Sequence, residues 1–229
     1  MLDRKKHHIH LVNLLKTIYS DSSISSSLGF KGGTAAYLFY DLPRFSVDLD
    51  FDLLVQDSSK QTFERIGKIL AQEGVLKDSI EKHYTLFFLL QTDATNQNIK
   101  VEISKRSTMA HYRVMHYLGI PMKVMEKPDM VASKLVAFLM REKFAARDMY
   151  DLWFFLKKGW DIRGEIVQEQ YGQTTVQALE NAIKKTRVIS GTQLLQGLGE
   201  FLDEEQKKWV RQNLREELLF QLKLYSEHL

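Results

Sequence analysis

A chain of 229 residues that is 44% hydrophobic and 27% charged can bury a substantial core, in one large domain or two small ones. Its formal charge of +3 and pI of about 8.9 permit a polyanionic partner without demanding one. The absence of cysteine excludes disulfides and thiolate metal sites, and the longest purely apolar run, LVAFLM at 135–140, is far too short to span a membrane.

The first ten residues, MLDRKKHHIH, lack the apolar stretch of a signal peptide, so a cytoplasmic protein with no membrane partner is expected. Ile9, Val12, Leu15 and Tyr19 recur at helical spacing and predict an amphipathic helix over 4–19. After the polar break DSSISSS, a short strand is expected over 27–31, ending at Gly32-Gly33. A helix follows from Thr34 to Tyr40 and stops at Leu42-Pro43. Period-two alternation predicts a strand over 47–55, and Phe63, Ile66, Ile69 and Leu70 predict a helix over 58–72. Two strands, 83–91 and 98–105, flank the polar turn DATNQN as an antiparallel hairpin would. Residues 111–125 read as one or two short strands. From Lys127-Pro128 onward the periodic stretches are helical: 128–142, 147–158, 163–170, 174–186, 192–201 and 203–227. The expected fold class is therefore α+β. A mixed-sheet domain, residues 1–126, is followed by an all-helical half, residues 127–229.

The stretch KGGTAAYLFYDLPRFSVDLDFD at 31–52 carries the chemistry. On a strand, residues two apart face the same side, so Asp48 and Asp50 stand side by side while Leu49 and Phe51 face the core. Paired carboxylates on a rigid strand suit a hard divalent cation, above all Mg²⁺ bridging substrate phosphates. Gly32 and Gly33, without side chains at a strand-to-helix junction, let backbone N–H groups approach a phosphate, and Thr34 adds a hydroxyl. Asp52 reads either as a surface acid or as a further metal ligand.

The wording GGT followed by RFS-x-DLDFD resembles the nucleotidyltransferase-like toxins of the AbiEii/AbiGii family, within the polymerase-beta-type nucleotidyltransferase superfamily. The resemblance implies that Gly32, Gly33 and Thr34 form the glycine turn and Asp48 and Asp50 the metal-binding pair, with Arg44 and Ser46 fitting the same motif as nucleotide-binding residues. If the sheet is ordered as in the family, Glu102 in IKVEISK joins the acids as a third carboxylate, completing a two-metal site or accepting a proton. The plain alternative is a solvent-facing Glu beside Lys100. A second resemblance lies in KPDMVASKLVAFLMREKFAARDMYDLWFFLKKG at 127–159. The family's lysine, its arginine and the R-D-x-Y-D-L wording correspond to Lys134, Arg141, Arg147, Asp148, Tyr150 and Asp151.

Lys134 and Arg141, seven apart, share a helix face, as do Asp148 and Asp151, three apart. Lys134 is placed to bind phosphates, with Arg141 as a further nucleotide-binding residue, and Asp148 to position Lys134 or the nucleotide. Against this, Asp148 at a helix start also reads as a dipole-complementing acid, and Arg147–Asp151 as an ordinary ion pair. Tyr150, Trp153 and Phe154 read as core. His7, His8 and His10 beside RKK, and KKTR at 184–187, read either as nucleic-acid patches or as solvated surface. Histidines at no metal-ligand spacing argue against zinc.

What the resemblance implies is a toxin of a toxin–antitoxin or abortive-infection system, with a separate antitoxin as partner. The expected activity is transfer of NMP from an NTP, with Mg²⁺ or Mn²⁺, to an acceptor hydroxyl. The acceptor expected is an RNA (tRNA) 3′ end. A protein hydroxyl, or a catalytically silent nucleotide- or RNA-binding module of the same fold, are the alternatives. Asp48, Asp50, Glu102, Lys134 and Asp148 form the expected catalytic set, the helical half completing the active site.

Overall fold

A computed structural model describes residues 3–92 and 98–229. The chain forms two compact units, Met1–Met125 and Glu126–Leu229, each taken by itself below. No helix among the described residues is long and apolar enough to cross a membrane.

The first unit contains α1 (Arg4–Ser20), β1 (Leu28–Lys31), α2 (Gly32–Phe39), β2 (Leu49–Leu53), α3 (Ser59–Glu73), β3 (Val75–Glu81), β4 (Thr85–Gln91), β5 (Asn98–Ser104), β6 (Tyr112–Tyr117) and β7 (Ile120–Met125). Its seven strands form one mixed sheet in the order β3-β4-β5-β2-β1-β7-β6. β2 runs antiparallel to β1 and parallel to β5. β4 and β5 pair antiparallel as the hairpin reading expects; the turn assigned to 93–97 lies outside the described residues. Residues 111–125 resolve into two antiparallel strands.

Alternation sorts the sheet into two faces. Leu49, Phe51 and Leu53, Leu86, Phe88 and Leu90, and Ile99, Val101 and Ile103 are all buried, each contributing about 1.5–3 kcal/mol if fully removed from water. α1 and α3 cover this side: Tyr19 lies against Phe51 at 6.2 Å and Phe63 against Phe88 at 5.1 Å. The same alternation forces Asp50, Asp52, Lys100, Glu102 and Ser104 onto the opposite face.

β3 has no counterpart in the sequence reading. It is an edge strand, mostly exposed, and VLKDSIE lacks the apolar alternation that burial on one face imposes. Near the other edge, Gly29 supplies room rather than chain freedom. A Cβ there would stand 2.4–2.7 Å from ring atoms of Tyr112, whose hydroxyl donates to Asp52.

The second unit contains α4 (Lys127–Met140), α5 (Ala146–Lys157), α6 (Gly164–Tyr171), α7 (Thr175–Val188) and α8 (Glu204–Glu227). α4 packs against α5, α6 and α7, and α8 packs against α5 and α7. Tyr150, Trp153 and Phe154 are buried, and Trp153 meets Trp209 of α8 at 4.4 Å. The helix expected over 192–201 is absent; two 3-10 turns, Gly191–Gln193 and Gly199–Phe201, stand there instead. Three glycines explain this. Gly191, Gly197 and Gly199 weaken a helix by about 1 kcal/mol each, and Gly197 adopts φ +65°, which a continuous α-helix does not contain.

Candidate active site

In the first unit the acid pair is set by β2 and the turn before it. Asp50 is the register partner of Lys31 on β1 and of Glu102 on β5. Asp48 lies just before β2 and is carried on the loop that brings Arg44, Phe45 and Ser46 back to the sheet. Four contacts fix this loop. The Thr34 hydroxyl donates to the Asp48 carbonyl and shares a 2.9 Å hydrogen bond with Ser46 Oγ. His7 Nε2 lies 3.0 Å from the Val47 carbonyl oxygen. Arg44 donates to the Phe45 carbonyl over 3.1 Å.

These contacts revise two expectations. Thr34 is fully buried and its hydroxyl is spent on the loop, so it positions Asp48 rather than offering a donor to phosphate. His7 is buried against the Phe45 ring at 5.8 Å, and so belongs neither to a basic patch nor to a solvated helix face. Its spacing in the sequence gave no sign of this, because the partner is forty residues away.

The glycine pair is required by what crosses it. A Cβ on Gly32 would come 2.6 Å from Asp50 Oδ2, and Gly32 has φ +78°, a conformation that costs an L-residue about 1–2 kcal/mol. A Cβ on Gly33 would come 2.5 Å from the Arg44 guanidinium and 3.0 Å from Ser46 Oγ. α2 therefore begins directly beneath the Asp50 carboxylate and beside a buried arginine. Its N-cap, Lys31, provides no side-chain cap, which leaves the first-turn N–H groups for water or an anion. Gly32→Ala should accordingly displace Asp50. Any chemistry that depends on the Asp50 carboxylate is expected to fall about 100-fold, while the melting temperature drops by only a few degrees, as for a strained turn residue; activity within twofold of wild type would show that the close approach is irrelevant.

The charges on this face are unequal in role. Asp52 is buried, its carboxylate ion-paired with Lys31 at 2.5 Å and accepting from Tyr112, so the surface-acid reading fails. Burial pushes the Asp50 carboxyl above the usual carboxylate range, with Asp48 and Glu102 adding to the rise and Lys100 and Lys31 opposing it. Lys100 Nζ lies 3.0 Å from Glu102 Oε2 and 3.5 Å from Asp48 Oδ2. Burial pulls the Lys100 ammonium downward, but Asp48, Asp50 and Glu102 outweigh it and hold the group above the ordinary lysine value.

Does a divalent cation fit here? No group of three or more His, Cys, Asp or Glu side chains able to hold a metal ion stands among the described residues, so the protein does not build a complete cage. Asp48 and Asp50 nevertheless supply hard oxygen donors, and Mg²⁺ is ordinarily held by one or two carboxylates, its remaining positions filled by phosphate and water. The pair fits that mode. Glu102 shares this polar face, and one of its carboxylate oxygens, Oε2, accepts from Lys100 over 3.0 Å.

In the second unit, α4 and α5 are joined by a buried ionic cluster. Lys134 Nζ reaches Asp148 Oδ1 at 3.0 Å and Asp151 Oδ2 at 2.9 Å, and both carboxylates are at most 1% exposed. Arg141 Nε lies 2.9 Å from Asp148 Oδ2, an ion pair at an oxygen that makes no hydrogen bond. Asp148 does not cap α5, whose N-cap Ala145 has no side-chain bond. Asp148 and Asp151 both stand on α5 as expected, whereas Arg141 is the extended C-cap of α4 rather than a residue of its helical face; the product is a cluster of two acids and two bases in which Arg141 is 41% exposed.

Lys185 of α7 went unread within KKTR. Its amine donates to the Leu139 carbonyl over 3.0 Å and stands over the Phe138 ring at 5.5 Å. Burial lowers its pKa, with Asp148 opposing the fall. Thr186 beside it is fully buried, so the run is not wholly solvated surface. Nothing in a Lys-Lys-Thr-Arg string separates a lysine that caps a neighbouring helix from one in water.

Residues 13–221 match the family model described as nucleotidyl transferase AbiEii toxin, type IV TA system. Two solved structures from Helicobacter pylori share the fold. One is a candidate nucleotidyltransferase, 20% identical with a TM-score of 0.65, covering 100% of this chain and 96% of that one. The other, JHP933, is 20% identical with a TM-score of 0.64, covering 100% and 94%. At that identity the likeness is one of fold alone. No curated protein matches the chain.

Proposed function

The chain belongs to the AbiEii nucleotidyltransferase toxin family of type IV toxin–antitoxin systems, and from that premise we propose that it transfers NMP from an NTP to an RNA 3′-hydroxyl, with Asp48 and Asp50 as ligands of Mg²⁺ or Mn²⁺. The observation that carries the reading is the position of the Asp50 carboxylate over Gly32, 2.6 Å from where a Cβ would stand. A carboxylate and an uncapped helix start are thereby held at one point, where a metal-bridged phosphate needs both.

A divalent cation bound by Asp48 and Asp50 would neutralise the triphosphate and polarise its α-phosphorus. The chain's own residues do the rest. Gly32 and Gly33 leave the first-turn N–H groups of α2 accessible to phosphate oxygens, and the buried Arg44 adds positive charge beside them. Ser46 and Thr34 hold the loop that carries Asp48. Within the helical unit, Asp148 and Asp151 fix the Lys134 amine. Glu102 is assigned to the acceptor side, where an ionised carboxylate accepts the proton of the attacking hydroxyl. That hydroxyl forms a bond to the α-phosphorus, the bond to the β-phosphate oxygen breaks, and pyrophosphate leaves in line.

An RNA acceptor agrees with a chain of net charge +3, and a 3′-hydroxyl is a suitable in-line nucleophile. The partner that opposes the toxin is a separate antitoxin. The test supplies each labelled NTP and Mg²⁺ with intact tRNA, with tRNA whose 3′-hydroxyls have been oxidised, and with protein extract alone. Label on intact tRNA that is lost after oxidation is expected, and it should weaken steeply with salt. Label that survives oxidation, or that resides on protein only, overturns the RNA-end assignment in favour of a protein hydroxyl.

A further inference from the structure

Lys100 lies on β5, two residues from Glu102 and therefore on the same face of the sheet. A lysine on the polar face of a strand ordinarily extends its ammonium into water. This one does not: it is 28% exposed, and its Nζ lies 3.0 Å from Glu102 and 3.5 Å from Asp48, within the field of Asp50. Three acids that would otherwise repel one another are thus gathered around a cation that the chain itself supplies. A divalent ion on Asp48 would compete for the same oxygen and be repelled by the ammonium at short range.

We propose that Lys100 is the internal counter-ion of this site, neutralising Asp48 and Glu102 until a divalent cation displaces it, its ammonium then passing to the triphosphate that accompanies the metal. The proposal rests on the assignment of Asp48 and Asp50 as metal ligands. It makes Lys100 a substrate-binding residue and gives the order of events a physical cause. The bare metal meets a site already neutralised, whereas metal and triphosphate together repay the displaced ammonium with a new anion. Glu102 is released in the same movement, as a carboxylate no longer tied to an amine.

The experiment is a calorimetric titration of the whole chain with Mn²⁺ alone, comparing wild type with Lys100→Gln, Lys100→Met, Lys100→Arg and Asp48→Asn. Both neutral variants should bind Mn²⁺ at least about tenfold more tightly than wild type, with Lys100→Arg within about twofold of it. Asp48→Asn should lose binding. With Mn²⁺ saturating, a non-hydrolysable NTP analogue should bind the neutral variants about fivefold or more weakly. Two neutral substitutions guard against one that fails to fold.

If wild type takes up Mn²⁺ through Asp48 and both neutral variants bind it no more tightly, the counter-ion role is overturned while the metal ligands stand. Unchanged analogue binding in the neutral variants overturns the transfer of the ammonium to phosphate. If neither wild type nor the neutral variants bind Mn²⁺, the proposal and the metal assignment fall together.

Discussion

Asp50→Asn is expected to abolish nucleotide transfer, by about a thousandfold or more given what a charge-organising group supplies to a transition state, and yet to make the metal-free protein more stable at neutral pH. The two effects share one origin. Burial, with Asp48 and Glu102 nearby, raises the folded-state pKa of Asp50 above its unfolded value. A group shifted in this direction contributes stability that is fully present below the unfolded pKa and is lost as pH rises through the folded one. At pH 7, above the unfolded value, the Asp50 carboxyl group is therefore a cost, which the amide removes. Thermal melts of both proteins from pH 7 down through the carboxylate range check the sign: the variant's advantage should shrink as the wild-type group protonates and disappear below the ordinary aspartate pKa. A variant that is less stable at pH 7, or one that retains transfer, removes Asp50 from the site.

Lys134→Ala is expected to change stability in the opposite direction. Two carboxylates on α5, at most 1% exposed, share the Lys134 amine. Removing one partner of a buried ion pair leaves uncompensated charge, which typically costs about 3–5 kcal/mol. Transfer, measured on protein kept folded at low temperature, should also fall by about two orders of magnitude if Lys134 serves the phosphates. The exposed Lys143 provides the comparison, since Lys143→Ala should change neither quantity appreciably. Denaturant unfolding separates the two effects. A Lys134→Ala protein as stable as wild type would contradict the cluster, whereas a destabilised protein with full specific activity would confine Lys134 to holding α4 on α5.

Much of the candidate site is written in short-range pattern. Leu49, Phe51 and Leu53 alternate with Asp50 and Asp52, and the sheet keeps that alternation as a buried and a polar face. Gly32-Gly33 is legible as a turn because glycine is the residue such a junction needs; the reason it is needed here, the approach of Asp50 and Arg44, is not. What escaped the sequence depends on partners far along the chain. His7 is tied to Val47, Thr34 to Asp48, Lys31 to Asp52 and Lys185 to Leu139. Each partner is brought near by topology, and no local period reports it. β3 escaped for another reason: an exposed edge strand has no buried face to impress a pattern on its residues.

The contact between Gly29 and Tyr112 has a consequence for how this protein can change. The ring fills the space a Cβ would need, its hydroxyl meets Asp52, and Asp52 in turn neutralises Lys31, one residue before the glycine turn. Four side-chain identities are therefore linked into a single mutational unit. A larger residue at 29 requires a smaller one at 112, which strands the Asp52 carboxylate and shifts the load on Lys31. A larger residue at 29 meets the Tyr112 ring unless position 112 has changed first, so the order of replacement at this corner of the sheet is constrained.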